Sequence, residues 1–180
     1  MTNLTKKEII LIVAYLSKNL GIGFQGKLPW GHIEVDITNF KARTMGHTVI
    51  MGKDTLASRD GKPFTGRQNI IVSTTLTTEN LPEGVLLART LEEAIGMATG
   101  EKIFIIGGVR LYQEAIEKDL AHTILATVIY DDLECDRFFP EIPNHWLVVD
   151  EGNKGMDPGS EIDIRFVKFK NTRNPLRLAA

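Results

Sequence analysis

The stretch "KIFIIGGVRLYQEAIEK", residues 102–118, changes from a strand pattern to a helix pattern across two adjacent glycines. Residues 102–106 form a short apolar run rich in isoleucine, which is typical of a strand buried on both faces of a sheet. Residues 109–118 then have the pattern of a helix. A strand that leads directly into a helix is the unit from which parallel sheets are built, so this stretch predicts an α/β fold.

The same alternation continues toward the N-terminus. Strand patterns occupy residues 9–16, 47–51, 69–73 and 84–88, and helix patterns occupy 33–44, a short segment after Gly52, and 90–98. Thr90 and Glu93 have the spacing of a capping box at the start of the last of these helices. Strands that alternate with helices predict crossover connections and a largely parallel sheet.

The last third of the chain lacks helix patterns. Residues 122–130, 145–151 and 162–169 are strand-like, and the turn-rich segment 152–160 predicts a hairpin with a long loop between the last two. We therefore predict one mixed, mostly parallel β-sheet of about eight strands, with an antiparallel C-terminal edge hairpin and helices on both faces. A single domain should cover residues 1–170, and residues 171–180 should form a loose C-terminal tail.

The composition is that of an ordinary globular protein. Of 180 residues, 43% are hydrophobic and 24% are charged, and the net charge of −2 gives no reason to expect nucleic-acid binding. The single cysteine, Cys135, and four histidines without an i, i+4 pair form no metal-site pattern. The N-terminal apolar run is short for a signal peptide and far too short to span a membrane, so we expect a cytoplasmic protein.

An acidic residue lies on the predicted buried face of helix 33–44. At helical spacing, Ile33, Ile37, Phe40 and Thr44 stack on one side, and Asp36 points the same way. A buried carboxylate is costly, and loss of water raises its pKa toward neutrality, which suits proton delivery. An acid in a first helical turn also interacts favourably with the helix dipole and needs no further role. The residues alone leave these two explanations equal.

Two strand-to-helix turns contain glycine. In "VIMGKDT", residues 49–55, Gly52 is followed by Lys53 and Thr55, and in the stretch quoted first the turn is Gly107 and Gly108. Free N–H groups at a helix start bind anions, and glycine lets a ligand approach the backbone. Singly, the first turn is better explained as a plain connection, and the second equally well as tight packing. Together they predict a pyrophosphate site between two helix starts, although the G-x-G-x-x-G fingerprint is absent.

Two further side chains are candidates for a site. Arg67, just before a strand, is either a partner in a surface salt bridge, which is the commoner case, or a fork for a substrate carboxylate. Trp30, in "LPW", belongs to a residue type found more often in the core than in a site. Neither residue decides a function without its neighbours.

Several segments resemble the dihydrofolate reductase family, in the order and at the intervals of that family. They are "GIGFQGKLPW" (21–30), "DITNFKARTMGHTVIMGKDT" (36–55), "GRQNIIVS" (66–73), "IFIIGGVRLYQEAI" (103–116) and "CDRFFPEI" (135–142). The succession of "LPW", a helical aspartate, "VIMG" and "IGG" is much more specific than any one of these motifs. The resemblance covers roughly residues 9–170, which is nearly the whole chain.

This resemblance implies an NADPH-dependent oxidoreductase. Members of the family transfer a hydride from C4 of NADPH to C6 of 7,8-dihydrofolate, with protonation at N5, and give tetrahydrofolate for one-carbon and thymidylate metabolism. The resemblance also implies a monomer with a small-molecule substrate, no nucleic-acid or membrane partner, no metal, and the status of an antifolate target. An apolar slot with one acid suits this reaction, because the cofactor carries the hydride.

The resemblance assigns roles to residues around the acid. Asp36 holds the pterin through N3 and the 2-amino group, and it assists protonation of N5 indirectly, through water. Thr127 bonds to this acid, and Trp30 helps to order the water. Leu28 belongs to a mobile loop that closes over the nicotinamide, and Asp136 steadies that loop. The residues implied to be catalytic are Asp36, Trp30, Leu28, Thr127 and Tyr112.

Substrate and cofactor contacts follow from the same resemblance. Phe40 matches the aromatic residue against the pterin and benzoyl groups, and Arg67 matches the arginine that binds the glutamate α-carboxylate. The implied substrate-binding residues are Ala14, Asp36, Ile37, Phe40, Arg67, Ile106 and Thr127. The implied NADPH-binding residues are Ala14, Ile22, Gly23, Gly52, Lys53, Thr55, Ser73, Thr74, Gly107, Gly108, Val109, Arg110 and Leu111, with Ser73 and Thr74 where the 2′-phosphate is read.

The sequence departs from the family pattern at several places, of which Asp54 bears on the cofactor, and two other functions stay open. Asp54 stands where a basic or neutral residue often helps to hold the phosphates, which predicts a weaker preference for NADPH over NADH. One alternative is a reductase of the same fold that acts on a ribosylated pyrimidine in riboflavin synthesis, and it gives no reason for the pairing of Asp36 with Arg67. The other is a non-catalytic nucleotide-binding module, which has no need of a buried acid.

Overall fold

The computed structural model describes residues 7–176 of the chain. Its helices are α1 (Glu34–Thr44), α2 (Lys53–Ala57), α3 (Leu91–Met97) and α4 (Val109–Glu117), with a 3₁₀ turn at Thr78–Asn80. Its strands are β1 (Glu8–Leu16), β2 (Gly21–Gly23), β3 (Thr48–Gly52), β4 (Gln68–Val72), β5 (Leu86–Ala88), β6 (Lys102–Ile105), β7 (Thr123–Tyr130), β8 (Arg137–Phe138), β9 (Trp146–Glu151), β10 (Gly155–Met156) and β11 (Asp163–Asn171). The strands and helices predicted from sequence patterns are confirmed, with ends that differ by one or two residues.

The main sheet is mixed and mostly parallel. Its order is β10-β11-β7-β1-β6-β3-β4-β5, and β9 also pairs with β11. The pairs among β1, β3, β4, β5, β6 and β7 are parallel, whereas β11 is antiparallel to β7, β9 and β10. The predicted architecture is therefore confirmed. The sheet has nine strands because the first arm of the C-terminal hairpin is divided into β9 and β10, which both pair with β11.

Helices cover the sheet because its central strands are apolar on both sides. Leu11 and Ile105 are fully buried in a cluster that includes residues of α3 and α4. Val49 and Phe104 are buried in a second cluster, against which Phe40 of α1 packs. Each such side chain contributes about 1.5–3 kcal/mol by leaving water. These clusters make the sheet a rigid base for the loops at its edge.

The two glycine turns lie side by side. The register of β3 and β6 pairs Ile50 with Ile105, so the turns that follow these strands begin at the same level. The N–H of Gly52 donates to the carbonyl of Gly107 at 2.8 Å. The carboxyl ends of parallel strands are where folds of this kind bind ligands, so this edge is the first place to look for a site.

Only one of the two hydrogen bonds of the capping box predicted at the start of α3 is formed. The Thr90 hydroxyl accepts the N–H of Glu93 at 3.1 Å, as expected. The Glu93 carboxylate, however, accepts the N–H of Arg89 at 2.6 Å instead of that of Thr90. The reciprocal bond is thus made one residue earlier than the capping-box pattern requires.

Hydrogen bonds hold the first residues of the predicted tail. The N–H and the hydroxyl of Thr172 donate to the carbonyl of His145 at 3.0 and 2.7 Å, and the amide of Asn174 donates to the carbonyl of Asp119 at 2.8 Å. Residues 177–180 of that tail lie outside the described residues, as do residues 1–6. Within residues 7–176, no helix has the length and apolar character needed to cross a membrane.

Candidate active site

The carboxylate of Asp36 sits between α1 and the middle of the sheet. Helix α1 starts at Glu34, which places Asp36 in its first turn, and the hydroxyl of Thr127 on β7 hydrogen-bonds to the acid. Thr127 is buried, whereas Asp36 is partly buried. Loss of water raises the pKa of Asp36 above its usual value, and the hydrogen bond from Thr127 offsets part of that rise. This position gives Asp36 both a proton affinity above that of an ordinary aspartate and a fixed direction.

The predicted apolar face of α1 is buried only at its ends. Ile33, just before the helix, and Thr44, at its last residue, are fully buried, and the Thr44 hydroxyl donates to the carbonyl of Phe40 at 2.8 Å. Ile37 and Phe40, between them, are half-buried. Apolar side chains that stay half-exposed beside a carboxylate form a wall suited to a flat, mostly apolar ligand.

The "LPW" segment divides between core and surface. Trp30 packs in a buried cluster with Leu16, Ile33 and Ile129, next to Ala14. Leu28 is 51% exposed, although its carbonyl accepts the N–H of Gly31 at 3.2 Å. Trp30 is therefore a core residue by its contacts, and Ala14 lies beside Thr127 because the register of β1 and β7 pairs them.

Tyr112 of α4 links the acid to a glycine turn. Its hydroxyl donates to the carbonyl of Ile12 at 2.8 Å, and its ring is buried. Burial, together with the nearby charge of Asp36, raises the pKa of Tyr112. Tyr112 thus stays protonated and donates a hydrogen bond. Ile106, which ends the apolar run before the turn, is half-buried.

Gly107 cannot be replaced by a larger residue without strain. Its φ of +125° is in the region that favours glycine, and a Cβ there would lie 3.3 Å from the Thr55 hydroxyl and 3.6 Å from the Tyr112 hydroxyl. A Cβ on Gly52 would meet the N of Gly108 at 3.8 Å. The two turns and Thr55 therefore form one close-packed backbone surface, which we call the glycine cradle (Gly52, Thr55, Gly107 and Gly108).

Two short helices begin at the glycine cradle. Helix α2 starts at Lys53 and α4 at Val109, and among the described residues neither start carries a side-chain cap. Lys53 and Arg110 are exposed, and Leu111 is buried. Backbone N–H groups of an uncapped helix start attract anions, so the two starts and the two cations give this surface a positive character.

The end of β4 lies next to the glycine cradle. The hydroxyl of Ser73 accepts the N–H groups of Thr75 and Leu76 at 3.2 and 3.1 Å, so it stabilises its own turn. Thr74 is exposed, and Lys53 donates to the hydroxyl of Thr75 at 3.1 Å. Thr75 did not stand out from the sequence, where it is one member of a hydroxyl-rich run.

Arg67 is fixed at the end of α1. Its guanidinium donates to the Thr44 hydroxyl at 2.8 Å, to the Thr65 carbonyl at 2.7 Å and to the Lys41 carbonyl at 3.3 Å. Its Cζ lies 5.9 Å from the ring centroid of Phe40. The salt-bridge explanation finds no support, because no ion pair of Arg67 occurs within residues 7–176.

A second arginine lies close to Arg67. The Cζ of Arg59 is 3.7 Å from the ring centroid of Phe64, and that of Arg67 is 5.6 Å from the same centroid. Burial, and next the charge of Arg59, lower the pKa of Arg67. Arg59 was not among the predicted site residues, because it is one of two basic residues, with Lys62, in the polar segment before Arg67.

The loop after β1 is tied to the segment before the hairpin. Gly23, in β2, accepts the N–H of Asp136 at 2.9 Å, and the Asp136 carboxylate accepts the N–H of Gln25 at 2.9 Å. Ile22 is half-buried against the main core cluster. These two hydrogen bonds hold the loop that carries Leu28 in one conformation.

A separate crevice of about 480 Å³ lies between α4 and the segment 140–145. The Asp119 carboxylate in it accepts hydrogen bonds from His145 and Asn171 at 2.9 and 3.1 Å. Asp119 is thus already partnered, and the residues predicted for a site do not line this crevice. Within residues 7–176 no cluster of three or more His, Cys, Asp and Glu residues could hold a metal ion.

Comparison with known proteins gives a consistent result. Residues 8–171 match the family model described as "Dihydrofolate reductase". The dihydrofolate reductase of Drosophila melanogaster is 37% identical over 152 residues, which cover 77% of this chain and 82% of that protein. That of Bacillus subtilis (strain 168) is 30% identical over 90% and 94% of the two chains, and the type 3 enzyme of Salmonella typhimurium is 33% identical over 92% and 99%.

Proposed function

The chain belongs to the dihydrofolate reductase family, and on this premise we propose that it reduces 7,8-dihydrofolate to tetrahydrofolate with NADPH. The balanced reaction consumes one NADPH and one proton and gives NADP⁺. The observation that carries the proposal is the single carboxylate of Asp36, held by Thr127 against an apolar wall, with Tyr112 near both this acid and the glycine cradle.

The glycine cradle fits the pyrophosphate of NADPH. Its backbone leaves room where a Cβ on Gly107 would fill the space toward Thr55, and two uncapped helix starts meet there. Gly52, Lys53 and Thr55 would hold one side of the pyrophosphate. The other side would be held by Gly107, Gly108, Val109, Arg110 and Leu111. When bound, NADPH supplies the hydride.

The end of β4 is the proposed place for the adenosine 2′-phosphate. Thr74 is exposed there, and Lys53 already reaches the neighbouring Thr75. Ser73 would act mainly through its backbone and its turn, because its hydroxyl accepts two N–H groups. Asp54, exposed beside Lys53, would weaken the preference for NADPH over NADH.

Asp36 would hold the pterin ring. A carboxylate accepts two parallel hydrogen bonds, which matches the N3–H and the 2-amino group of the pterin. Thr127 would fix the direction of the Asp36 carboxylate. The raised pKa of Asp36 favours a part for this acid in a proton relay to N5 through water near Trp30. Ile37, Phe40 and Ala14 would pack on the ring, and Ile106 and Tyr112 would lie near its junction with the nicotinamide.

Arg67 would bind the glutamate end of the substrate. Three hydrogen bonds fix its guanidinium in place beside Phe40, and a fixed guanidinium binds a carboxylate with two bonds. The loop with Ile22, Gly23 and Leu28 would close over the nicotinamide and exclude water. The protein would act as a monomer in the cytoplasm, with no nucleic-acid partner.

One assay tests the proposal against its alternatives. We expect the pure, folded protein to oxidise NADPH when dihydrofolate is added, and not when a ribosylated pyrimidine of riboflavin synthesis is added. Absence of turnover with dihydrofolate would contradict the proposal. NADPH binding without any turnover would point to the non-catalytic module, and size-exclusion chromatography checks the monomer.

A further inference from the structure

Asp157 is a buried acid in the segment between β10 and β11. Its side chain is 0% exposed, although the segment "GNKGMDPGS" around it has the composition of an exposed turn. A charged group that leaves water needs hydrogen-bond partners of its own. The partners of Asp157 show what it does.

One carboxylate oxygen of Asp157 caps the helix that carries Asp36. Oδ1 accepts the N–H of Val35 at 2.9 Å, across 122 positions of sequence. The residue at the N-cap position of α1 is Ile33, which has no side-chain oxygen and makes no capping bond. Helix starts leave N–H groups without partners, and a serine, threonine, aspartate or asparagine normally accepts one of them. In this chain the acceptor comes from a distant loop.

The other carboxylate oxygen fixes Asp157 within its own loop. Oδ2 accepts the N–H and the hydroxyl of Ser160 at 2.9 and 2.8 Å. The backbone N–H of Asp157 donates to the carbonyl of Ile162 at 2.9 Å, next to the start of β11. These bonds lower the pKa of Asp157, so it is a permanent anion at neutral pH.

The same strand supports Asp36 from two sides. Strand β11 pairs with β7 so that Phe166 lies opposite Thr127, and Thr127 hydrogen-bonds to Asp36. Just before β11, Asp157 bonds to Val35, the residue that precedes Asp36 in α1. Both contacts thus lead to β11, one through its partner strand β7 and the other through the loop that precedes it.

We propose that Asp157 is a positioning residue for the reaction, which fixes the first turn of α1 so that the Asp36 carboxylate faces the pterin. The inference rests on the proposed function, because it concerns how Asp36 meets that substrate. Asp157 does not touch the substrate, and it acts through Val35 and the helix start. A displacement of about 1 Å at a reacting group costs up to about 100-fold in rate.

The test compares Asp157→Ala with Ser160→Ala. The first removes the bond to Val35 together with the two bonds from Ser160. The second removes only the Ser160 hydroxyl, with its bonds to Asp157 and Ile162 inside the loop, so it is a matched control for damage to the loop. We expect Asp157→Ala to lower kcat/KM for dihydrofolate by about 10- to 100-fold, because it displaces the acid. The Kd of NADPH should stay within about two-fold, because the glycine cradle shares no hydrogen bond with Asp157. Ser160→Ala should stay near the wild type in both.

Asp157→Asn keeps one acceptor oxygen and provides a graded variant. A charged acceptor bonds about twice as strongly as a neutral one, so Asp157→Asn should fall between the wild type and Asp157→Ala. If Asp157→Ala does not fold, the wild type, Ser160→Ala and Asp157→Asn still form the series. The pH profile of turnover is a readout that a merely stabilising cap would not move, and it should shift in the Asp157 variants but not in Ser160→Ala.

When the wild type is active, two results would overturn the inference. One is a lower melting temperature in Asp157→Ala or Asp157→Asn with kcat/KM and the pH profile unchanged, which makes Asp157 a structural cap only. The other is an equal loss of NADPH affinity. Failure of the proposed function is separate, since it appears as absent turnover in the wild type. Titration with folic acid, read by quenching of tryptophan fluorescence, then compares the variants without turnover, and unchanged affinity across the series would equally overturn the inference.

Discussion

The surroundings of Asp36 and the glycine cradle are built in opposite ways. The glycine cradle is made of backbone: Gly52 donates to the Gly107 carbonyl, and both turns follow their strands directly. Asp36 depends on side chains from distant segments, Thr127 on β7 and Asp157 before β11. A backbone surface is sensitive to an added atom, whereas a side-chain network is sensitive to a lost partner. Substitutions that add and that remove atoms should therefore affect different ligands.

The largest effect is expected where the acid itself is lost. Asp36→Asn should lower turnover of dihydrofolate by about 100-fold or more at neutral pH, because the amide cannot accept both pterin N–H groups or relay a proton. NADPH affinity should stay nearly unchanged, since the glycine cradle lies on other elements. Steady-state kinetics and a fluorescence titration with NADPH measure the two quantities. An equal loss of both would mean that Asp36 is structural.

Asp36→Asn should lower turnover but raise the stability of the fold at neutral pH. The pKa of Asp36 is raised in the folded protein, so the folded state binds its proton more tightly than the unfolded state does. The contribution of Asp36 is therefore most favourable below its unfolded-state pKa and is lost as the pH rises through the folded-state pKa. Asp36→Asn removes this loss and should melt at a higher temperature than the wild type at neutral pH. The difference should shrink in acid, and a lower melting temperature at pH 7 would contradict this sign.

An added atom in the glycine cradle should instead weaken the binding of NADPH. Gly107→Ala puts a Cβ at a φ of +125° and 3.3 Å from the Thr55 hydroxyl, at a cost of about 1–3 kcal/mol. We expect the Kd of NADPH to rise by about 10-fold, because a 1.4 kcal/mol difference changes a binding constant about 10-fold. Gly96→Ala in α3, where a Cβ meets nothing within 4 Å, is the control. A Gly107→Ala protein with unchanged NADPH affinity would show that the turn yields easily.

Arg67→Lys should act on the tail of the substrate alone. Lysine keeps the charge but cannot form a two-bond fork, and it loses the bond to the Thr44 hydroxyl. The KM for dihydrofolate should rise by about 10-fold with little change in kcat, because the loss is the same in the ground state and the transition state. Arg43→Lys is the matched control, because Arg43 is an exposed residue of α1, the helix to which Arg67 bonds. A fall in kcat with constant KM would show that Arg67 acts on the pterin.

The smallest effect is expected from Thr127→Val, which keeps the shape of the side chain and removes its hydroxyl. The lost hydrogen bond should lower kcat/KM by about five-fold, corresponding to about 1 kcal/mol. Since this bond lowers the pKa of Asp36, its loss should shift the acidic limb of the pH profile to higher pH. A profile that does not move would mean that Thr127 serves only the packing of β7.

The sequence predicted the glycine cradle better than the surroundings of the acid, for a physical reason. Gly52 and Gly107 each lie beside the strand and helix that position them, so the local pattern contains the geometry. Asp36 could be placed on the inner face of α1 by spacing, but its bond to Thr127 came only from the family resemblance. Asp157 lay in a segment that reads as a turn, and no local pattern shows that such a residue caps a helix 122 positions earlier.

Short-range details also escaped prediction where two geometries compete. The Glu93 carboxylate reaches Arg89 instead of Thr90, a choice that depends on the exact path of the chain before α3. The first arm of the hairpin divides into β9 and β10, because the turn-rich residues between them leave the ladder. The segment around Arg59 has the composition of a surface loop, and only the fold brings Arg59 to Phe64, beside Arg67.

The bond between Asp157 and Val35 also orders events during synthesis of the protein. A ribosome makes α1 early and delivers Asp157 only after 122 further positions. The strand β11, which lies against β7, is made last of all the described elements. Chains grow at about 5–20 residues per second, so several seconds separate Asp36 from the parts that hold it in place. A nascent or prematurely ended chain can thus carry both glycine turns and Asp36 and still lack the contacts that hold that acid, which ties its placement to the synthesis of β11.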